Sequence, residues 1–178
     1  MITIRSATDC VSDVALLLFV YTNKKIYDDD SRSLDLSFEE IHRDLKNQKE
    51  NRNWFFIIED ENRPIGHMSY SILEPSERDE DYIKVPSAEP NITIWFESDR
   101  SKGHGTSALR LLIKHIFEQG IAQIVIHTGA PNDRARYVYE TKLGMTLMSV
   151  EDSYWIDSKG VRHDDTTASY LLQAKDFK

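Results

Sequence analysis

The sequence predicts an α/β fold built as one domain. Its 178 residues suit a single hydrophobic core. Short β-rich runs alternate with stretches of helical periodicity along the whole chain. A strand, a glycine-bearing turn and a strongly amphipathic helix follow one another near residues 91 to 119.

Taken in order, Ile2 and Ile4 alternate with polar neighbours as a short opening strand, and Val11, Val14, Leu17, Leu18 and Tyr21 recur at helical spacing. Asn23 to Asp35 is polar and aperiodic, so it reads as a loop; its Asp28, Asp29 and Asp30 lack the glycine that a metal loop needs to turn. Ser37 with Glu40 three residues on forms a capping box, which predicts a helix over about 37 to 50. Trp54 to Ile58 and Ile65 to Leu73 flank a polar turn and predict a hairpin. Residues 75 to 90, with three prolines and Glu77, Asp79, Glu80 and Asp81, predict a long surface loop. The strand signal returns from Asn91 to Phe96. Ala108, Leu109, Leu112, Ile113, Ile116 and Phe117 then mark a helix over Thr106 to Gln119, capped by Gly120. Ile121 to His127 predicts a buried strand, 133 to 143 a helix closed by Gly144, and Met145 to Trp155 and Thr166 to Gln173 two last strands around a turn at Asp157 to Gly160.

Composition narrows the function. Hydrophobic residues at 40% with only 7 glycines and 5 prolines exclude a disordered or low-complexity chain. Lys and Arg number 22 against 30 Asp and Glu, a net charge of −8, which argues against nucleic-acid binding and favours cationic small molecules or basic peptides. The longest apolar run, Val14 to Tyr21, is too short to cross a bilayer, so no membrane association is expected. A lone Cys10 and the lack of a charged-then-apolar leader fit a cytoplasmic location, and Cys10 reads as a small apolar group rather than a nucleophile.

The chemistry-bearing unit is the turn Arg100-Ser101-Lys102-Gly103-His104-Gly105 ahead of a helix. Its glycines let backbone approach a ligand, and the helix N-terminus offers unpaired N–H groups and a positive dipole end to an anion. Arg100 and Lys102 add charge suited to a pyrophosphate. A plain strand-to-helix turn would also use such glycines. The absence of G-x-x-x-x-G-K-[ST] excludes a nucleoside-triphosphate loop, and Ala108 stands where a dinucleotide fingerprint needs its third glycine.

The same turn resembles the signature [QR]-x-x-G-x-[GA] of the GNAT superfamily of acyl-CoA-dependent N-acetyltransferases, with Arg100, Gly103 and Gly105 in register. Asn132, Ala135 and Tyr139 match a second block, N-x-x-A-x-x-x-Y, followed by Leu143-Gly144-Met145 where the family has L-G-F. The element order from about residue 2 to 173 is similar as well. The resemblance implies a mixed, mostly antiparallel sheet of six to seven strands flanked by about four helices, spanning residues 1–178 as one acetyltransferase domain. It implies acetyl-CoA as co-substrate and no metal.

By the same resemblance, the turn residues Arg100, Ser101, Lys102, Gly103, His104, Gly105, Thr106 and Ser107 hold the pyrophosphate. The strand end at Trp95 and Phe96 meets the pantetheine arm, and Asn132 and Arg136 contact the cofactor. Tyr139 protonates the departing thiolate, with Tyr137 as a weaker substitute because the segment from Tyr139 to Gly144 is one residue longer than usual. Glu97 is the nearest carboxylate to act as base; Glu89 lies further off in sequence, and His67 and His127 lie on predicted strands. The acidic segments rank a small polycationic amine first as acceptor, a peptide N-terminus second and a catalytically silent acyl-CoA-binding regulator third. A homodimer is compatible with this reading.

Overall fold

The hairpin predicted from Trp54 to Leu73 forms as β2 (Asn53–Asp60) and β3 (Arg63–Leu73). Its two-residue turn, Glu61 and Asn62, takes φ of 50° and 66°, the mirror-image turn whose twist matches antiparallel strands. In the computed structural model, which describes residues 1–23, 26, 36–75, 81–156 and 161–177, this hairpin is extended on both sides into a seven-stranded sheet. The other strands are β1 (Ile2–Ser6), β4 (Ser87–Ile94), β5 (Gln123–Gly129), β6 (Thr146–Ile156) and β7 (Arg162–Gln173). Their order is β1-β2-β3-β4-β5-β7-β6, and only β4 and β5 run parallel.

Among the described residues four α-helices flank the sheet: α1 (Val11–Thr22), α2 (Phe38–Lys46), α3 (His104–Glu118) and α4 (Asp133–Tyr137). The capping box forms as expected: Ser37 Oγ accepts from Glu40 N–H at 3.2 Å, and Ser37 N–H donates to Glu40 Oε2 at 2.8 Å. Strand alternation sends neighbours in β2 to opposite faces. Phe56 and Ile58 pack with Leu109, Leu112, Ile113 and Ile116 of α3. Ile57 packs with Val14 and Leu17 of α1 and Ile41 and Leu45 of α2. Each such fully buried side chain contributes about 2 kcal/mol. Among the described residues no helix is long and apolar enough to cross a membrane.

Of the boundaries that differ from those expected, three bear on the site. β4 begins at Ser87, inside the stretch expected to be loop, and carries Pro90. It pairs with β3 throughout but with β5 only at Ser87 and Ala88, so a proline is tolerated where one side has no ladder. β4 also ends at Ile94, and residues 97–99 form a 3₁₀ turn instead of extending the strand. The helix expected to run to 143 is α-helical only to Tyr137, beyond which Val138–Lys142 form a π-helical turn. The acidic stretches Asp28–Asp30 and Glu77–Glu80 and the turn at 157–160 lie outside the described residues.

Gly66 marks the closest approach of two strands. A Cβ there would stand 2.5 Å from the carbonyl oxygen of Thr93 on β4, and that backbone cannot step aside without breaking the β3–β4 ladder. Gly66→Ala is expected to destabilise the fold by about 1–3 kcal/mol. A fall in the urea midpoint at unchanged slope is the measurement that checks it.

Candidate active site

The parallel strands β4 and β5 pair at Ser87 with Gln123 and at Ala88 with Ile124, then part. Below that fork lies a cleft of about 1070 Å³, floored by Ile92 and Ile94 of β4, flanked by His127 and Thr128 of β5, and closed at its ends by α3 and α4. Backbone groups of β4 and β5 facing the gap have no partner strand, which suits an extended amide-bearing chain lying between them.

At one end, Ser101 (φ 59°) and Gly103 (φ 83°) turn the chain into α3. Gly103 is the N-cap, and no side chain caps the helix. The first intrahelical bond is Ser107 N–H to Gly103 C=O at 3.0 Å, so the N–H groups of His104, Gly105 and Thr106 lack helical acceptors, and of these residues Gly105 and Thr106 line the cleft. A Cβ on Gly103 would meet nothing within 4 Å, so its requirement is the left-handed backbone alone. Arg100 lines the cleft but donates to Ile94 C=O (Nε, 3.0 Å) and Trp95 C=O (Nη2, 3.3 Å), bracing the strand end as well as charging the turn. Asp99, also on the cleft, is gripped by both guanidinium nitrogens of Arg63 at 2.7 and 3.0 Å. That pairing, aided by Lys102 and His104, holds its carboxyl below the usual range.

At the other end stands Tyr139. Leu143 N–H reaches back five residues to Val138 C=O at 3.0 Å, so the extra residue before Gly144 is absorbed as a π turn. Tyr139 therefore remains on the cleft, 7% exposed, its ring edge-on to Tyr170 with centroids 5.5 Å apart. Burial pushes its phenol up to about 12.

The cleft gathers Arg100, Ser101, Gly103, Gly105, Thr106, Asn132 and Tyr139 of the residues the sequence singles out. Asn132 caps α4, its Oδ1 accepting from Ala135 N–H at 3.1 Å, which leaves its NH₂ as the group a ligand would meet. Lys102, His104 and Ser107 are not on the lining. Arg136 is turned inward instead, donating to Tyr170 Oη at 3.1 Å and Ala130 C=O at 3.3 Å and pairing with Glu140. Trp95 is buried on the far side with Val20 and Ile26, its Nε1–H donating to His67 Nδ1 at 2.8 Å. Phe96 and Glu97 are exposed beyond the strand end, off the cleft. Glu97, expected as the nearest carboxylate, lies in the 3₁₀ turn off the cleft lining, whereas Glu89, on β4 at the fork, lines the cleft.

Glu89 and His127 also line a second cavity of about 370 Å³. Its other walls are Glu151, Asp152 and Ser153 of β6 and Thr167 and Ser169 of β7. Among the described residues no lysine or arginine lines it. Glu89 Oε1 lies 3.5 Å from His127 Nε2, and His127 Nδ1 lies 2.9 Å from Ser169 Oγ. Sequence reasoning missed Ser169, Asp99, Arg63 and Tyr170, because each meets its partner only through strand pairing or a turn. Among the described residues no three metal-ligating side chains gather.

A forked parallel strand pair with an uncapped glycine-led helix at one end and a buried phenol at the other defines an acyl-CoA-dependent acyltransferase. The acetyltransferase (GNAT) family matches residues 23–145, more than half of the sequence, and the chain belongs to that family of acetyl-CoA-dependent N-acetyltransferases. No curated protein matches. Among solved structures, an N-acetyltransferase from Staphylococcus aureus Mu50 superposes with TM-score 0.74 at 16% identity, covering 97% of this chain and 98% of that one. A ribosomal-protein-alanine N-acetyltransferase from Brucella melitensis gives 0.71 at 20%, covering 96% and 99%. An aminoglycoside acetyltransferase, AAC(6')-Ib, in complex with coenzyme A gives 0.72 at 16%, covering 99% and 96%.

Because the folded-state phenol of Tyr139 lies above the ordinary 10.0, its burial contributes stability below pH 10 that is lost as pH rises toward about 12. Tyrosinate absorbance should show a late-titrating component that Tyr139→Phe removes.

Proposed function

We propose that this N-acetyltransferase moves the acetyl group of acetyl-CoA to a primary amine of a small polycationic acceptor by direct attack. The carrying observation is the acidic second cavity, which shares Glu89 and His127 with the cofactor cleft and carries Glu151 on the same face of the sheet as its Thr167 and Ser169 walls.

The residues of the cleft fit acetyl-CoA. The N–H groups of His104, Gly105 and Thr106 with the α3 dipole suit its pyrophosphate. The unpaired edges of β4 and β5 suit the pantetheine amides. Bound there, acetyl-CoA supplies an activated thioester. Tyr139, held protonated by burial, donates its proton toward the sulfur as the carbon–sulfur bond breaks. Glu89, rather than Glu97, is the carboxylate placed to take part in deprotonating the amine. A peptide N-terminus is the second reading, supported by the similarity in length and fold to the ribosomal-protein enzyme from Brucella melitensis.

Thiol release from acetyl-CoA against polyamines, aminoglycosides and peptides with free N-termini tests the acceptor, with calorimetric CoA binding as control. Turnover on polyamines or aminoglycosides is the expected result, and turnover on peptides alone overturns it. Tyr139→Phe is expected to lower kcat by about 100-fold or more while leaving CoA affinity intact. Gly103→Val is expected to weaken acetyl-CoA binding at least tenfold, about 1.4 kcal/mol, by straining the left-handed cap.

A further inference from the structure

His127 sits where the two cavities meet, and its ring nitrogens have different neighbours. His127 and Ser169 are directly opposed in the β5–β7 pairing, which brings Ser169 Oγ to 2.9 Å from Nδ1. Nε2 is buried and has no hydrogen-bond partner among the described residues, although Glu89 Oε1 is only 3.5 Å away. A neutral imidazole carries one N–H, and a serine hydroxyl is the near partner of Nδ1 alone. With the hydrogen on Nδ1 donated to Ser169, Nε2 presents a lone pair beside a carboxylate. Two acceptors then face one gap at the junction of cofactor cleft and acidic cavity. A group carrying several N–H donors and a positive charge satisfies both at once, and a primary ammonium is such a group.

We infer that His127 is the base of the transfer reaction, that Ser169 positions it by fixing its tautomer, and that the acceptor nitrogen docks between His127 Nε2 and Glu89. This rests on the acetyltransferase reading of the cleft. One ammonium proton passes to Nε2, leaving a neutral amine and an imidazolium beside the Glu89 carboxylate. Across the second cavity Glu151 of β6, on the same face as Thr167 and Ser169, favours the same charge. The amine nitrogen bonds to the thioester carbon, and the carbon–sulfur bond breaks with its electron pair on sulfur. The surplus N–H proton balances the one the thiolate receives through Tyr139, and the proton on His127 returns to solvent. The sum is amide, thiol and one proton. This geometry resembles a serine–histidine–carboxylate relay in its parts but runs differently, with the hydroxyl orienting the ring and the incoming amine as nucleophile.

Two measurements on the full chain test the assignment. Nitrogen-15 histidine spectra of the wild type are expected to show neutral His127 protonated at Nδ1, and Ser169→Ala is expected to shift that population toward Nε2 while Ser169→Thr restores it. A wild-type ring protonated at Nε2 overturns the proposal whatever the substrate. With spermidine as acceptor, His127→Gln is expected to lower kcat about 100- to 1000-fold at unchanged CoA affinity, and Ser169→Ala about tenfold at unchanged KM for acetyl-CoA. Full-rate turnover by His127→Gln overturns it. A wild type that binds CoA but releases no thiol with spermidine counts against the polyamine acceptor instead, and the tautomer then decides the role of His127.

Discussion

The parting of β4 from β5 is the constraint from which the site follows. Two parallel strands that stayed paired would bury their backbone groups in a ladder and leave no cleft. Here pairing stops after two residue pairs, and the sheet is held together on either side by full antiparallel ladders, β3 with β4 and β5 with β7. Those ladders keep the fork rigid and stop it closing, while α3 packs beneath it with a continuous apolar face. The unpaired edges that would be a liability elsewhere here line the cleft.

Several side chains serve the frame and the site together, so structure and chemistry are not separable there. Arg100 charges the turn and also ties it to the carbonyls of Ile94 and Trp95. Asn132 caps α4 while facing the cleft. Arg63 holds Asp99, whose free carboxylate would otherwise oppose an anion at the α3 N-terminus. Tyr170, in the core against α3, is wholly buried, donates to Glu140 and accepts from Arg136, and so anchors the π turn that presents Tyr139. The protein thus keeps donors at one end of the cleft and carboxylates beyond the other, a polarity suited to an anionic cofactor and a cationic acceptor.

Much of this was written locally. The helix starting near Gly103, the capping box at Ser37, the hairpin across Glu61 and Asn62 and the Arg100-to-Gly105 turn all depend on spacings of a few residues, so periodicity and turn chemistry expose them. The glycines at 103 and 105 with Asn132 and Tyr139 sufficed to point to the family that residues 23–145 match. Glu97 shows where such local spacing stops: nearness in sequence to the strand end is not nearness to the cleft, and one 3₁₀ turn separates the two.

What the sequence by itself determined was the set of elements, the glycine-led turn and the class of reaction, because these are set by residues within a turn or two of one another. Tertiary structure alone decided which carboxylate reaches the cleft, how the extra residue before Gly144 is absorbed, and that His127 lies between Glu89 and Ser169. Glu89, His127 and Ser169 stand on three strands distant in sequence, and their meeting depends on strand order and register. A one-residue slip would turn each of them to the opposite face of the sheet, and no local pattern records that choice.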